Sequence, residues 1–180
     1  LGIDPSAWVI GRVGQNYPNK WSDWYSKVLP NLVARENAHF LAVNPPQNLA
    51  TKLMKILGPN VTVVESIVDD SVLADTYRAM DVFLHIANQG ESFGFVLAEA
   101  GLFGIPVVTL STPWGDNAQQ ELIVNGLNGF LVHRPTSISA ALLATREKLW
   151  DTAKMRQSVL SRFGQDAVVE SVIDISLSSR

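Results

Sequence analysis

Short runs of valine, isoleucine and leucine recur along this chain, and they alternate with segments whose apolar residues fall at helical spacing. The runs Ala7–Gly11, His39–Val43, Val61–Val64, Asp81–Ile86, Val107–Leu110 and Gly129–Val132 read as strands. Helices are predicted at Trp21–Ala34 (with Pro30 as a possible kink or break), Leu49–Leu57, Asp69–Met80, Ser92–Phe103 and Gln119–Val124. Asn44-Pro45-Pro46 and Gly58-Pro59 punctuate the pattern, and Asp69, Asp70 and Ser71 are candidate N-caps. From Ser137 onward the pattern is helical, broken near Trp150–Asp151 and at Gly164. Continuously apolar strands separated by helices are buried on both faces, which implies an α/β fold: a Rossmann-like, doubly wound parallel sheet of about six strands with right-handed crossovers. Ligands on such sheets bind at the carboxyl ends of the strands. The Gly11-Arg12 turn, the loop after Val64, the Ala87–Gly94 turn and the loop after Leu110 all belong to that rim.

Residues 90–108 carry the chemistry. Glu91 and Glu99 lie eight positions apart, the first beside a glycine-rich turn and the second in an otherwise apolar helix. A helix hydrophobic nearly all round is buried, and an ionised carboxylate within it costs several kcal/mol unless a partner satisfies it. The partner of Glu99 is either a hydroxyl-bearing ligand or a basic side chain such as Arg12. Gly90 and Gly94 permit close approach of the backbone, and the free N–H groups of the following helix start suit a phosphate. Together these features suggest a nucleotide whose ribose meets Glu99.

The sequence Glu91-x7-Glu99 followed by Gly104-Ile105-Pro106-Val107-Val108 resembles the signature of retaining glycosyltransferases of the GT-B fold, family 4 type. Gly11-Arg12 with Lys20, and Glu121-Leu122-Ile123-Val124-Asn125-Gly126 with Asn128-Gly129-Phe130-Leu131-Val132, are similar to flanking elements of that family. The resemblance runs from about Ala7 to about Trp150. It implies that the chain is one half of a GT-B enzyme, the donor-binding C-terminal half, whose donor is a nucleotide-diphosphate sugar, UDP- or GDP-linked. By the same resemblance Glu99 takes the ribose hydroxyls and Glu91 the transferred sugar. Arg12 and Lys20, with Lys27 as a weaker substitute for the latter, bind the diphosphate. The backbone amides of Ser92, Phe93, Gly94 and Phe95, beside Gly90, receive a phosphate, and Ile67 in the stretch Glu65–Val68 lies where relatives meet the nucleobase. No metal and no further cofactor are expected; Arg12 and Lys20 supply the positive charge. His85 and His133 read as structural. The five tryptophans read as packing residues, with Trp114 placed at the rim of the site.

Composition bounds the alternatives. Of the 180 residues 47% are hydrophobic and 17% charged, which is globular, and a net charge of −3 without a basic cluster excludes nucleic acid as a partner. The absence of cysteine excludes disulfides and cysteine-based zinc sites. No stretch is long enough to span a bilayer, so the expected location is the cytoplasm or the cytoplasmic face of a membrane, with peripheral contact through a missing half. The chain begins at Leu1 and reads as one domain excised from a longer protein, lacking its N-terminal acceptor-binding domain. A nicotinamide oxidoreductase would need Gly-x-Gly-x-x-Gly after the first strand, and Gly11-Arg12-Val13-Gly14 lacks that spacing. A nucleotide-sugar-binding module without catalysis is the remaining alternative.

Overall fold

A computed structural model describes residues 1–113 and 115–164. Six strands, β1 (Trp8–Val13), β2 (Ala38–Val43), β3 (Val61–Val64), β4 (Val82–His85), β5 (Val107–Leu110) and β6 (Gly129–Val132), form one sheet in the order β3-β2-β1-β4-β5-β6. Every neighbouring pair is parallel. The helices are α1 (Tyr25–Glu36), α2 (Gln47–Leu57), α3 (Asp70–Arg78), α4 (Phe95–Leu102), α5 (Gln119–Leu122), α6 (Ile138–Glu147) and α7 (Thr152–Phe163).

Because side chains alternate along a strand, successive residues feed two different cores. Ile10, Phe40, Leu84 and Val108 pack with Leu29, Leu53 and Leu142 of α1, α2 and α6. Their sequence neighbours Val9, Leu41, Phe83 and Val107 pack with Tyr77, Leu97 and Val159 of α3, α4 and α7. The sheet is therefore doubly wound. Its strand order reverses between β1 and β4, and the crevice above that switch point is where such a sheet opens to a ligand.

Several boundaries differ from those the sequence predicts. β1 continues past Gly11 to Val13, because Arg12 and Val13 pair in register with Ala42 and Val43 of β2. Arg12 is thus the penultimate residue of the central strand rather than the start of a turn. α1 begins at Tyr25, four residues after Trp21, and runs through Pro30 without splitting. Asp69 caps α3 as expected, its carboxylate accepting the amides of Ser71 and Val72. α4 starts at Phe95 instead of Ser92, since Gly94 adopts φ 85°, a left-handed conformation that starts the helix only after it. Glu91 consequently lies outside the helix that carries Glu99. Nor is α4 buried all round: Phe95 is 69% exposed and Leu102 lies at the surface. The helical tail breaks at residues 148–151 as predicted, while the segment after Gly164 lies outside the described residues.

One buried hydroxyl joins the first helix to the switch point. Tyr25 Oη donates to the carbonyl of Leu84 at 3.1 Å and accepts from the amide of Ile86 at 2.9 Å, holding α1 against the carboxyl end of β4. Tyr25→Phe should leave both backbone groups unpaired in the interior and destabilise the fold by roughly 1–3 kcal/mol. Urea denaturation measures this directly, and an unchanged midpoint would contradict it.

Candidate functional site

At the switch point a cavity of about 290 Å³ opens between the end of β1 and the start of α4. Arg12, Lys20, Glu91 and the segment Ser92–Val96 line it. Arg12 is fully buried between the rings of Trp21 and Phe83, at 5.3 and 5.7 Å from their centroids. Its Nη2 donates to the carbonyl of Lys20 at 2.9 Å. Among the described residues its Nε and Nη1 have no hydrogen-bond partner. A guanidinium held in this way presents unspent donors to any anion that enters.

Lys20 closes a single turn of 3-10 helix (Pro18–Lys20) that is tied to the Ala87–Gly94 turn by the amide of Gln89 donating to the carbonyl of Asn19 at 3.0 Å. This places its Nζ 2.8 Å from Glu91 Oε2. Lys27, the substitute that the sequence offers, lies over the ring of Trp24 instead and does not line the cavity.

Glu91 is the most heavily partnered acid of the site. Its Oε1 stands 2.9 Å from His85 Nε2, and His85 Nδ1 stands 2.9 Å from Thr109 Oγ1. Its amide donates to Gln119 Oε1 at 3.2 Å and its carbonyl accepts from the amide of Ala118 at 2.9 Å. Gln119 in turn donates to the Leu110 carbonyl and to Thr112 Oγ1, so the loop after β5 and the loop after β4 form one unit. Burial acts to raise the Glu91 pKa, but the hydrogen bonds and charges of His85 and Lys20 outweigh it and bring it down to about 2. Burial, reinforced by the positive charge of Arg12, lowers His85 to about 4 and keeps it neutral. His85, read as structural from the sequence, thus touches the motif's first carboxylate.

Glu99 is half-buried, and among the described residues its side-chain partner is a phenol and not Arg12 or another base. Tyr77 Oη donates to Glu99 Oε2 at 2.6 Å. Burial, and then the charge and hydrogen bond of Glu99, push the Tyr77 pKa upward, so the phenol stays neutral and donates. Among the described residues the other Glu99 oxygen has no hydrogen-bond partner, and Glu99 does not itself line the cavity.

The glycines divide by cause. Gly94 supplies the left-handed residue ahead of α4, and the first amides of that helix have no carbonyl within it to bond. Gly90 does not line the cavity; a Cβ there would sit 1.3 Å from the carbonyl oxygen of Asp116, so its role is to let the two loops pack. Ser92 Oγ donates to Asp116 Oδ2 at 2.6 Å, fastening the same junction. The rings of Phe93 and Phe95 meet at a tilt of 38°, centroids 4.4 Å apart, on the lip of the cavity, a contribution of side chains where the sequence suggested backbone alone. Ile67, half-buried beyond the edge strand β3, does not line this cavity. His133 is exposed at the end of β6, and Trp114 lies outside the described residues. Among the described residues no three His, Asp or Glu side chains cluster closely enough to hold a metal ion, and no helix is long and apolar enough to cross a membrane.

Sequence reasoning missed Tyr77, Thr109 and Gln119. For Thr109 a signal existed: it is a polar residue in an apolar strand, and the structure pairs it in register with His85 at the end of the neighbouring strand β4.

The depressed pKa values have a consequence for stability. Between pH 6.5 and about 4 the unfolded chain protonates His85 while the folded protein refuses the proton, so stability falls as pH falls through that window. Glu91 adds a further loss below its ordinary value of 4.5, where the unfolded carboxylate takes a proton that the folded one takes only near 2. The His85 contribution is on the order of 3 kcal/mol. Chemical denaturation from pH 7 to 4 should show this decline, and His85→Gln should flatten it; an equal slope in the variant would assign the acid sensitivity elsewhere.

Residues 7–148 match the family described as glycosyl transferases group 1. D-inositol 3-phosphate glycosyltransferase 2 of Catenulispora acidiphila is 28% identical over 97% of this chain and 44% of its own length. The D-inositol 3-phosphate glycosyltransferase of Rhodococcus opacus is 33% identical over 79% of this chain and 34% of its own length. The chain thus spans less than half the length of these curated relatives. Among solved structures, HepE of Anabaena in complex with UDP and glucose superimposes with a TM-score of 0.71 at 23% identity, over 97% of this chain and 49% of that one. The C-terminal domain of a group 1 glycosyl transferase protein (LpcC) of Francisella tularensis gives 0.65 at 19% identity, over 91% and 85%. These structural likenesses show the fold, a Rossmann-like half of the GT-B architecture. With a family match that covers most of its length, the chain belongs to the group 1 glycosyltransferases.

Proposed function

We propose that this chain is the donor-binding half of a retaining glycosyltransferase that uses a nucleotide-diphosphate sugar and needs no divalent cation. The observation that carries the reading is Arg12: a fully buried guanidinium with two donor nitrogens that have no partner among the described residues, at the wall of the switch-point cavity. A diphosphate supplies the anionic oxygens that such donors lack. Lys20 and the amides opening α4 add positive potential on the same side. As the glycosidic bond breaks, negative charge grows on the leaving diphosphate, and preorganised donors stabilise it most where water is excluded. HepE, the structural relative, was crystallised with UDP, which supports the same assignment.

Glu99, steadied by Tyr77, accepts the ribose hydroxyls through its remaining oxygen. Glu91, charged and fixed by Lys20 and His85, still has lone pairs for hydroxyls of the transferred sugar. Retention requires the acceptor oxygen to attack from the face that the diphosphate leaves, and the departing phosphate takes the acceptor's proton. The acceptor binds to the second half of the longer protein, so the domain alone binds donor without transferring it.

Calorimetry with UDP, GDP and ADP, and with their sugars, tests the reading. Glu99→Ala should weaken the preferred nucleotide roughly tenfold or more, the worth of a hydrogen bond to a charged group. Glu91→Ala should spare the free nucleotide and weaken only the nucleotide sugar. Unchanged nucleotide affinity in the Glu99 variant, or binding abolished by EDTA, would sink the assignment. In the longer protein Arg12→Ala should remove most sugar transfer while a thermal melt reports whether the fold survives.

A further inference from the structure

We infer that His85 is a positioning residue for the Glu91 carboxylate, and that Thr109 sets the tautomer in which it acts. The inference rests on the reading above that Glu91 contacts the transferred sugar.

The argument is geometric. His85 is wholly buried at the carboxyl end of β4, and both ring nitrogens have single partners, Thr109 Oγ1 and Glu91 Oε1, each at 2.9 Å. A carboxylate can only accept, so Nε2 must carry the proton. A neutral ring then has Nδ1 as an acceptor, and the Thr109 hydroxyl is the donor that satisfies it. The parallel register of β4 and β5 sets Thr109 opposite His85, so the tautomer is fixed by the sheet itself. Glu91 stands in a loop, where a long side chain is ordinarily free to rotate. Here Oε1 is held from below by the His85 N–H and Oε2 from the side by Lys20 at 2.8 Å. Lys20 is a flexible, partly exposed side chain and is wanted by the diphosphate when donor binds. His85 has no such competing duty. It is therefore the contact that keeps the carboxylate plane in place after Lys20 turns to phosphate, leaving the remaining lone pairs aimed at the sugar.

Two isosteric changes separate positioning from packing. His85→Gln keeps a donor near the Nε2 position and loses the bond to Thr109. His85→Asn keeps a group near the Nδ1 position and withdraws the donor from Glu91. Titration calorimetry with free nucleotide and with nucleotide sugar should show His85→Asn losing roughly tenfold or more toward the sugar conjugate alone, with His85→Gln close to the parent. Adding Glu91→Ala to His85→Asn should cost no further sugar affinity beyond Glu91→Ala alone, the signature of two residues acting as one. Thr109→Val, nearly equal in volume, should produce a smaller loss of the same selective kind. If Glu91→Ala discriminates between the two ligands but neither His85→Asn nor Thr109→Val does, or if the glutamine and asparagine variants lose sugar affinity equally, His85 merely fills space. If Glu91→Ala affects both ligands alike, the sugar contact itself is wrong and this inference goes with it.

Discussion

The site is organised by the burial of a positive charge at the end of the central strand. Withdrawing a guanidinium from water costs several kcal/mol unless its donors are met. The fold meets only some of them. Two aromatic faces lie against the ion and one backbone carbonyl accepts from it, which among the described residues leaves two donor nitrogens unspent. Its field reaches the surrounding groups: it helps to hold His85 neutral and opposes the upward shift of the Tyr25 and Tyr77 phenols. Such a residue is a poor device for stability alone. An arrangement that tolerates it makes sense where an anion completes the coordination.

The two glutamates of the motif are distinguished by surroundings rather than by spacing. Glu99 sits on the α4 helix with one neutral donor, Tyr77, whose ring is stacked between Phe83 and Phe103 and so is fixed independently of the ligand. Glu91 sits in a loop with two donors to its carboxylate and two backbone bonds to the following loop. The rigid scaffold holds the former, and a network of side chains holds the latter. This division suits a ligand with a constant part and a variable part: a group common to all donors needs a fixed acceptor, and a group that sets selectivity needs one whose position can be tuned by neighbouring residues.

Much of this was legible in the sequence, for reasons that differ from element to element. The strands β3, β5 and β6 fall at the expected residues because each is a short apolar run bounded by clear breakers. The switch-point site was legible because glycine, charge and apolar runs there obey incompatible local rules, which marks a place where function overrides packing. Side-chain partners were not legible. That Glu91 would hold more bonds than Glu99 depends on the register of β4 with β5 and on the Gln119 loop folding back, both of which are long-range facts. The N-terminal limit of α4 was misjudged because Ser92 and Phe93 fit a helix by composition, whereas Gly94 in a left-handed conformation excludes them from it. Gly90 shows the same limit: its residue type was noticed, yet the reason for it is a carbonyl twenty-six residues away, that of Asp116.

The size of the cavity bears on how catalysis by such a protein must be divided. About 290 Å³ lies at the lower edge of what encloses a small ligand, and the paired rings of Phe93 and Phe95 stand exposed on its lip. A nucleotide sugar held there by Arg12, Lys20 and Glu91, with Glu99 beyond the cavity's lining, would therefore be gripped along one side. Water on its open side weakens each electrostatic contact that the transition state relies on, since the same charges interact several times more strongly in a dry site. Binding of donor and stabilisation of the leaving diphosphate are thus separable demands: the first is met by donors that this chain already orients, and the second requires a wall that excludes solvent from them. In the two-half reading, closure of a partner domain over that lip supplies the exclusion and the acceptor together, so the charge of Arg12 reaches its full effect only when an acceptor is there to react.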